Sequence, residues 1–207
     1  MTASNAPRKR NGDERRRELC DAAIEVLAEH GSRGLTHGRV DRCAMVPGGT
    51  TSYYYRTRAA LLRGVGMRIA EIDVANLQSV IDEPLDPLLP FAHLAELTMM
   101  QAHGPGLMLN RARQELSLAA VRDPDLAATS QDFATRINAM THEAIAHLQP
   151  GTDDPALLDA QRTAVTTFIA GVFARLVGGD HTINDAGQLA RLLEAVATAV
   201  SLQAQRT

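Results

Sequence analysis

The chain has 207 residues, of which 45% are apolar, 22% charged and only 3% aromatic. That composition excludes an unstructured polymer and suits one domain, or a small domain joined to a larger one. No stretch approaches the roughly 18 consecutive apolar residues that a membrane span needs. The first 17 residues are polar and basic, without the apolar centre of an export signal, so a soluble, cytoplasmic protein is expected. In that compartment Cys20 and Cys43 are not expected to form a structural disulfide.

The net charge of −3 hides a division. Residues 1–68 hold 13 basic side chains, all arginine except Lys9, against 7 acidic ones, whereas the remaining 139 hold 8 against 17. A basic segment joined to an acidic one suggests that the first meets a polyanion that the second avoids. Arg8, Lys9, Arg10, Arg15, Arg16 and Arg17 supply six of these cations, and a solvated tail would explain them as well.

In chain order, residues 1–12 read as a basic flexible tail. Asp13 then serves as an N-cap for a helix in which Leu19, Ala23, Ile24, Leu27 and His30 recur at three- and four-residue spacing until Gly31 closes it. Thr36 caps a short second helix with Val40, Cys43 and Ala44 inward, and the run Met45-Val46-Pro47-Gly48-Gly49 breaks it. Thr50–Tyr55 forms a brief third helix, and Thr57 caps a fourth containing Leu61, Leu62, Val65 and Ile69. Downstream, prolines at 84, 87, 90, 105, 124, 150 and 155 separate apolar stretches near 91–103, 107–121, 125–148 and 156–177, with a last one near 185–205. No segment alternates with the period of a strand. The fold expected is all-α, with about nine helices.

Two short helices joined by a tight turn have the spacing of a helix-turn-helix, whose second helix enters a DNA major groove about 12 Å wide. All three tyrosines of the chain are consecutive, Tyr53, Tyr54 and Tyr55, after Thr50, Thr51 and Ser52. Helical neighbours lie about 100° apart, so three successive rings cannot all be core. An exposed phenol beside hydroxyls suits phosphate hydrogen bonds and contact with thymine methyls. Gly48 and Gly49 would let backbone approach another surface.

At these residues the sequence resembles the tetracycline-repressor (TetR) family of transcriptional regulators. The likeness runs from about Arg17 to Arg68, through the Ala-Ala-Ile-Glu-Val-Leu-Ala-Glu-His-Gly helix at 22–31 and Leu35-Thr36 to the string Gly49-Thr50-Thr51-Ser52-Tyr53-Tyr54-Tyr55-Arg56-Thr57-Arg58-Ala59-Ala60-Leu61-Leu62. Met45 stands where the family usually has a turn glycine, Pro47 where a Ser or Thr often caps, and Ser52 where an aromatic is common. The resemblance implies a helix-turn-helix DNA-binding domain at 13–56 and a helical effector-binding and dimerisation domain at 57–207.

It also implies roles by position. Thr36, Gly48, Gly49, Thr50, Tyr53 and Tyr54 match groove- or phosphate-facing positions, Arg58 matches a phosphate anchor, and Tyr55 matches a packing aromatic. Arg39 and Arg42 join them on charge and position alone. N-capping would explain Thr36 equally well, and a solvated charge would explain Arg58.

The partners implied are a palindromic operator in double-stranded DNA, a second copy of the chain and a small-molecule effector, with no cofactor, metal or membrane. Two recognition helices about 34 Å apart would come from a two-fold homodimer. Phe168, Gly171, Val172, Arg175, Leu189, Leu193 and Val196 on the last two helices are candidates for its interface, although intrachain core would give the same periodicity. Phe91, Met99, Met100, Met108, Phe133 and Met140 are candidates for an adaptable effector pocket. The function implied is a repressor released by its effector.

The alternatives are a helical adaptor binding protein and a metal-dependent enzyme. His142-Glu143 with His147 has the wrong spacing for a zinc helix, since residues five apart are displaced by roughly 140°. His93 and His103 could join them only through the fold. A helical adaptor would leave the tyrosine run unexplained.

Overall fold

A computed structural model describes the backbone of residues 6–206 and the side chains from Gly12 onward, except those at 125, 128–130, 132, 133 and 136. The side chains of Arg8, Lys9, Arg10 and Phe133 lie outside the described residues. Among the described residues there are nine α-helices and no strand. They are α1 (Ala6–Gly34), α2 (His37–Cys43), α3 (Thr50–Tyr54), α4 (Arg58–Asp82), α5 (Ala92–Met99), α6 (Gly104–Ala120), α7 (Pro124–Leu148), α8 (Pro155–Val177) and α9 (Ala186–Ala204). A 3-10 turn at Met100–Ala102 follows α5. No helix among the described residues is long and apolar enough to cross a membrane.

Helix α1 begins upstream of Asp13, which sits inside it and pairs with Arg16 one turn on (3.6 Å) instead of capping it. The prolines act as the chemistry of a helix start allows. Pro105, Pro124 and Pro155 fall within the first two residues of α6, α7 and α8, where a missing N–H has no intrahelical acceptor to lose. Asp154 and Asp185 cap α8 and α9 by accepting from the amides of Ala156 (2.9 Å) and Gln188 (2.7 Å).

The chain forms two compact units. One comprises the residues up to Ala70 with Arg111–Gln131, and the other Glu71–Asn110 with the residues from Asp132 onward. In the first, the faces read from periodicity are core: Leu19, Ala23, Ile24 and Leu27 of α1, Val40 of α2, and Leu61, Leu62, Val65 and Ile69 of α4 are all buried. Each such Leu, Ile or Val contributes about 1.5–3 kcal/mol by leaving water. His30, grouped with them by spacing, is exposed instead. Arg68 of α4 donates from Nε to Asp21 of α1 at 2.7 Å across the outer edge of this core.

In the second unit, α9 packs against α5 and α8. Phe91, Ile145, Val172, Leu176, Leu189 and Leu193 fill the space between them, and Met99, Phe168 and Val196 are half-buried at its margin. This corrects part of the expected dimer face: Val172, Leu189 and Leu193 are at most 3% exposed within a single chain and have no surface left for a partner. Phe91 is likewise core, and Met100 is 68% exposed on the 3-10 turn, so it does not line an internal pocket. Met108 and Met140 are half-buried.

Gly31 interrupts α1 with φ 66° and ψ 178°, a conformation open essentially to glycine alone. A Cβ there would also lie 3.2 Å from Oε2 of Glu115, the atom that accepts from the Ser32 amide at 2.9 Å. Replacing Gly31 with Ala is therefore expected to cost about 1–3 kcal/mol of stability, read as a lower urea midpoint at unchanged slope.

Candidate nucleic-acid interface

Helix α2 starts at Thr36, whose hydroxyl accepts from the Arg39 amide at 3.4 Å while the residue stays exposed. The capping role and an outward hydroxyl thus coexist. Arg39 is exposed, but its guanidinium turns back to donate to the Gly34 carbonyl at 2.9 Å. His37 donates from Nε2 to the Tyr55 carbonyl at 2.6 Å, tying the start of α2 to the end of α3.

The turn after α2 passes through Met45, which is 92% exposed and has φ 53°. This is the left-handed conformation that a helix-ending glycine supplies, and a side chain there costs about 1–2 kcal/mol. The turn keeps its geometry because its backbone bonds hold it: the Met45 amide reaches Arg42 O (3.2 Å) and the Val46 amide reaches Asp41 O (3.0 Å). Thr50 donates its hydroxyl to the Pro47 carbonyl at 2.6 Å, so Pro47 supports the start of α3 through its carbonyl where a Ser or Thr would use a side chain.

Sequence reasoning missed the residue that organises this motif, Asp41. Its carboxylate is buried and accepts three hydrogen bonds from the start of α3: the Gly49 amide at 2.8 Å, the Thr51 amide at 2.7 Å and the Thr51 hydroxyl at 2.5 Å. Gly49 is the N-cap of α3 and has no capping side chain of its own; its φ of 90° aims its N–H at Asp41. The need for glycine here is thus set within the chain, by a left-handed cap. Burial raises the Asp41 pKa, and the hydrogen bonds from Thr51 and Gly49, with His37 nearby, outweigh it and hold the carboxyl below its ordinary value of 3.8. An acidic residue followed eight and ten positions later by Gly and Thr was the only signal, and it has meaning only once the turn has folded back.

With α3 anchored, its residues divide by direction. Thr51 is fully buried, whereas Tyr53 is 80% exposed. Tyr54 is half-buried, set edge-on to Tyr53 (centroids 5.2 Å apart, 85° between planes), with the Arg16 guanidinium 5.4 Å over its ring. Tyr55 points into the unit: its hydroxyl lies 3.0 Å from Cys20 Sγ, and its ring occupies the space left by Gly64, where a Cβ would come within 2.6 Å. Gly48, Gly49 and Ser52 are exposed, and residues 48–54 contain no charged side chain. Arg58, in the first turn of α4, is exposed and hydrogen-bonds the Ser32 carbonyl, which leaves its remaining N–H groups toward solvent. The structure therefore assembles Thr36, Gly48, Gly49, Thr50, Tyr53 and Tyr54 on the helix-turn-helix, with Arg58 just beyond it. What results is a hydroxyl- and aromatic-bearing helix able to donate, accept and make apolar contact, but not to form ion pairs.

Three of the four histidines considered for metal binding, His93, His103 and His147, have separate neighbours. His93 Nε2 lies 3.1 Å from Ser79 Oγ, His147 Nε2 lies 3.1 Å from the Glu83 carbonyl, and His103 stacks on His181. No group of three or more His, Cys, Asp or Glu suited to a metal occurs among the described residues. Cys20 and Cys43 are not joined in a disulfide. Cys43 donates to Glu25 at 3.3 Å, and burial, reinforced by Glu25 and Glu29, pushes its pKa up to about 11.

No family model and no curated protein matches the chain. Solved structures do. A member of the TetR family from Streptomyces coelicolor A3 superposes with a TM-score of 0.62 at 25% identity, covering 88% of this chain and 98% of its own. A Rhodococcus sp. protein assigned to the TetR-family transcriptional regulators gives 0.66 at 18% identity, over 90% and 98%. The multidrug binding protein EbrR, complexed with ethidium, gives 0.59 at 21%, over 93% and 99%. The chain therefore has the fold of these TetR-family structures, the fold that the residues from Arg17 to Arg68 imply. The Rhodococcus structure is described as a transcriptional regulator and EbrR as a multidrug binding protein.

The Asp41 contacts yield two expectations. Asp41→Ala costs about 2–4 kcal/mol by stranding the buried amide and hydroxyl of Thr51 and releasing the Gly49 amide, and hydrogen exchange of those amides speeds up before the rest of the unit opens. Because the folded-state pKa is lowered, the carboxylate's contribution is complete above about pH 4 and disappears as pH falls through the folded value. Urea midpoints of the wild type should decline over that acidic range, and Asp41→Asn should flatten the decline.

Proposed function

We propose that the protein is a sequence-specific DNA-binding transcriptional regulator that acts as a homodimeric repressor and is released from its operator by a small-molecule effector. One observation carries this reading. Tyr53 projects from an uncharged helix that follows a tight turn, and its phenol, 80% exposed and set edge-on to Tyr54, adds nothing to the buried core. The DNA-binding domain is assigned to 13–56 and effector binding and dimerisation to 57–207. Base edges are read by Tyr53, Tyr54 and Thr50, with Gly48 and Gly49 allowing close approach. Phosphates are held by Thr36, Arg58 and Arg39, and the N-terminal arginines add sequence-independent attraction.

For the dimer, the exposed positions favour a revised face. Thr167, Ala170, Gly171 and Ala174 of α8 and Ala195, Thr198, Ala199 and Leu202 of α9 recur at three- and four-residue spacing, are exposed and carry no charge. Gly171 and Phe168 stay on or beside this face. Arg175 is exposed but engages Asp180 at 2.7 Å. Effector binding is assigned to the second unit, where Met99, Met108 and Met140 are half-buried and Asn110 Oδ1 is a buried acceptor with no partner there. That EbrR was solved with ethidium supports an organic small molecule as the class of effector. Release follows from linkage: an effector that prefers a form with the wrong spacing of recognition helices lowers DNA affinity by its differential binding energy, commonly about 1–3 kcal/mol.

Titration of selected operator and scrambled duplexes tests the reading. Tyr53→Ala should cost about 1–3 kcal/mol on operator and change sequence preference, while Arg58→Ala should weaken both duplexes and flatten the salt slope by about one unit. Equal loss on both duplexes for Tyr53→Ala would remove base reading from that position. For the dimer, Gly171→Arg is informative because a Cβ there meets nothing within 4 Å, so the protomer tolerates it. It should shift the gel-filtration mass from dimer to monomer without lowering the far-UV helix signal. A wild type that elutes as a monomer would refute the two-fold arrangement.

A further inference from the structure

The first unit contains an open groove of about 870 Å3 between the end of α1, the first turn of α4 and the end of α6. Its walls combine two chemistries. Arg33, Arg58 and Arg122 line it together with Leu62, Leu118 and Ala119, and the carboxylates present are Glu115 and Asp123.

The acids are committed to the fold. Glu115 Oε2 accepts from the Ser32 amide at 2.9 Å beneath Gly31, and Asp123 Oδ1 accepts from the Leu126 amide at 3.1 Å to cap α7. The cations are less so. Arg58 hydrogen-bonds one backbone carbonyl, that of Ser32. A guanidinium has five N–H donors, so one such bond leaves most of its capacity unused. Arg33 and Arg122 are both exposed. Leu118 is 63% exposed, an apolar side chain turned outward beside the two arginines.

Three arginines from three elements converging over exposed leucine match neither a solvated charged face nor a core. They do match a molecule with one anionic group and an apolar body, because a guanidinium pairs with an oxyanion in a two-pronged geometry while the leucine covers the rest. We propose that this groove binds an amphiphilic organic anion, a carboxylate, sulfonate or phosphate ester on an apolar frame. Arg33 and Arg122 grip the anionic group, and Leu118 and Ala119 cover the frame. The groove is distinct from the effector site assigned to the second unit, since every lining residue belongs to the first, and the grip falls to Arg33 and Arg122, which the DNA-binding reading does not use.

The test uses two fluorescent probes of similar frame on the full chain, 8-anilinonaphthalene-1-sulfonate and its uncharged relative N-phenyl-1-naphthylamine. Wild type should bind the sulfonate more tightly, with an affinity that falls as salt is raised. The double variant Arg33→Gln, Arg122→Gln should weaken sulfonate binding about five- to tenfold. Binding of the neutral probe and the thermal midpoint should not change. Leu118→Ser should weaken both probes. The proposal is overturned if wild type shows no preference for the sulfonate, if the double variant binds it as tightly as wild type, or if the double variant loses both probes in parallel.

Discussion

The carboxylate of Asp41 holds the helix-turn-helix in one geometry. Helix α3 is five residues long and has no side-chain cap of its own, and so short a helix is not stable by itself in water. Its first amides are satisfied by an acid one helix earlier, and its Thr51 side chain is drawn into the same buried contact. This fixes which way the helix faces. With Thr51 inward, Tyr53 must stand outward, because side chains two residues apart in a helix point in nearly opposite directions.

The neighbouring contacts serve the same constraint from other sides. His37 holds the carbonyl of Tyr55, Tyr55 fills the gap at Gly64 and reaches Cys20, and Arg16 lies over Tyr54. Helix α3 is thereby clamped to α1, α2 and α4. The proposed role in reading base edges needs such rigidity, since any freedom left in the helix is lost on binding and subtracts from affinity. The left-handed Met45 sits in a turn held by the backbone bonds of Met45 to Arg42 and of Val46 to Asp41, which offset its strain.

The second unit follows another logic. Its core is spread over α5, α7, α8 and α9 and takes up several residues whose spacing alone suggested an interface. An amphipathic helix shows that one face is apolar, but not whether the covering surface comes from the same chain. The three-dimensional packing answers that for Val172, Leu189 and Leu193, and it leaves small, uncharged positions such as Gly171 and Ala199 on the outside.

Local chemistry was enough to read the all-helical class, the Thr36 cap, the inward faces of α1 and α4, the tight turn and the outward phenol, because each depends on residues within one or two helical turns. What depended on tertiary structure brings together residues far apart in the chain: the Asp41 cap on α3, the seat of Tyr55 at Gly64, the Glu115 contact beneath Gly31 and the convergence of Arg33, Arg58 and Arg122. A carboxylate caps a distant helix, or a groove gathers charge, only when the chain has folded back on itself. Spacing along the sequence carries no record of those distances.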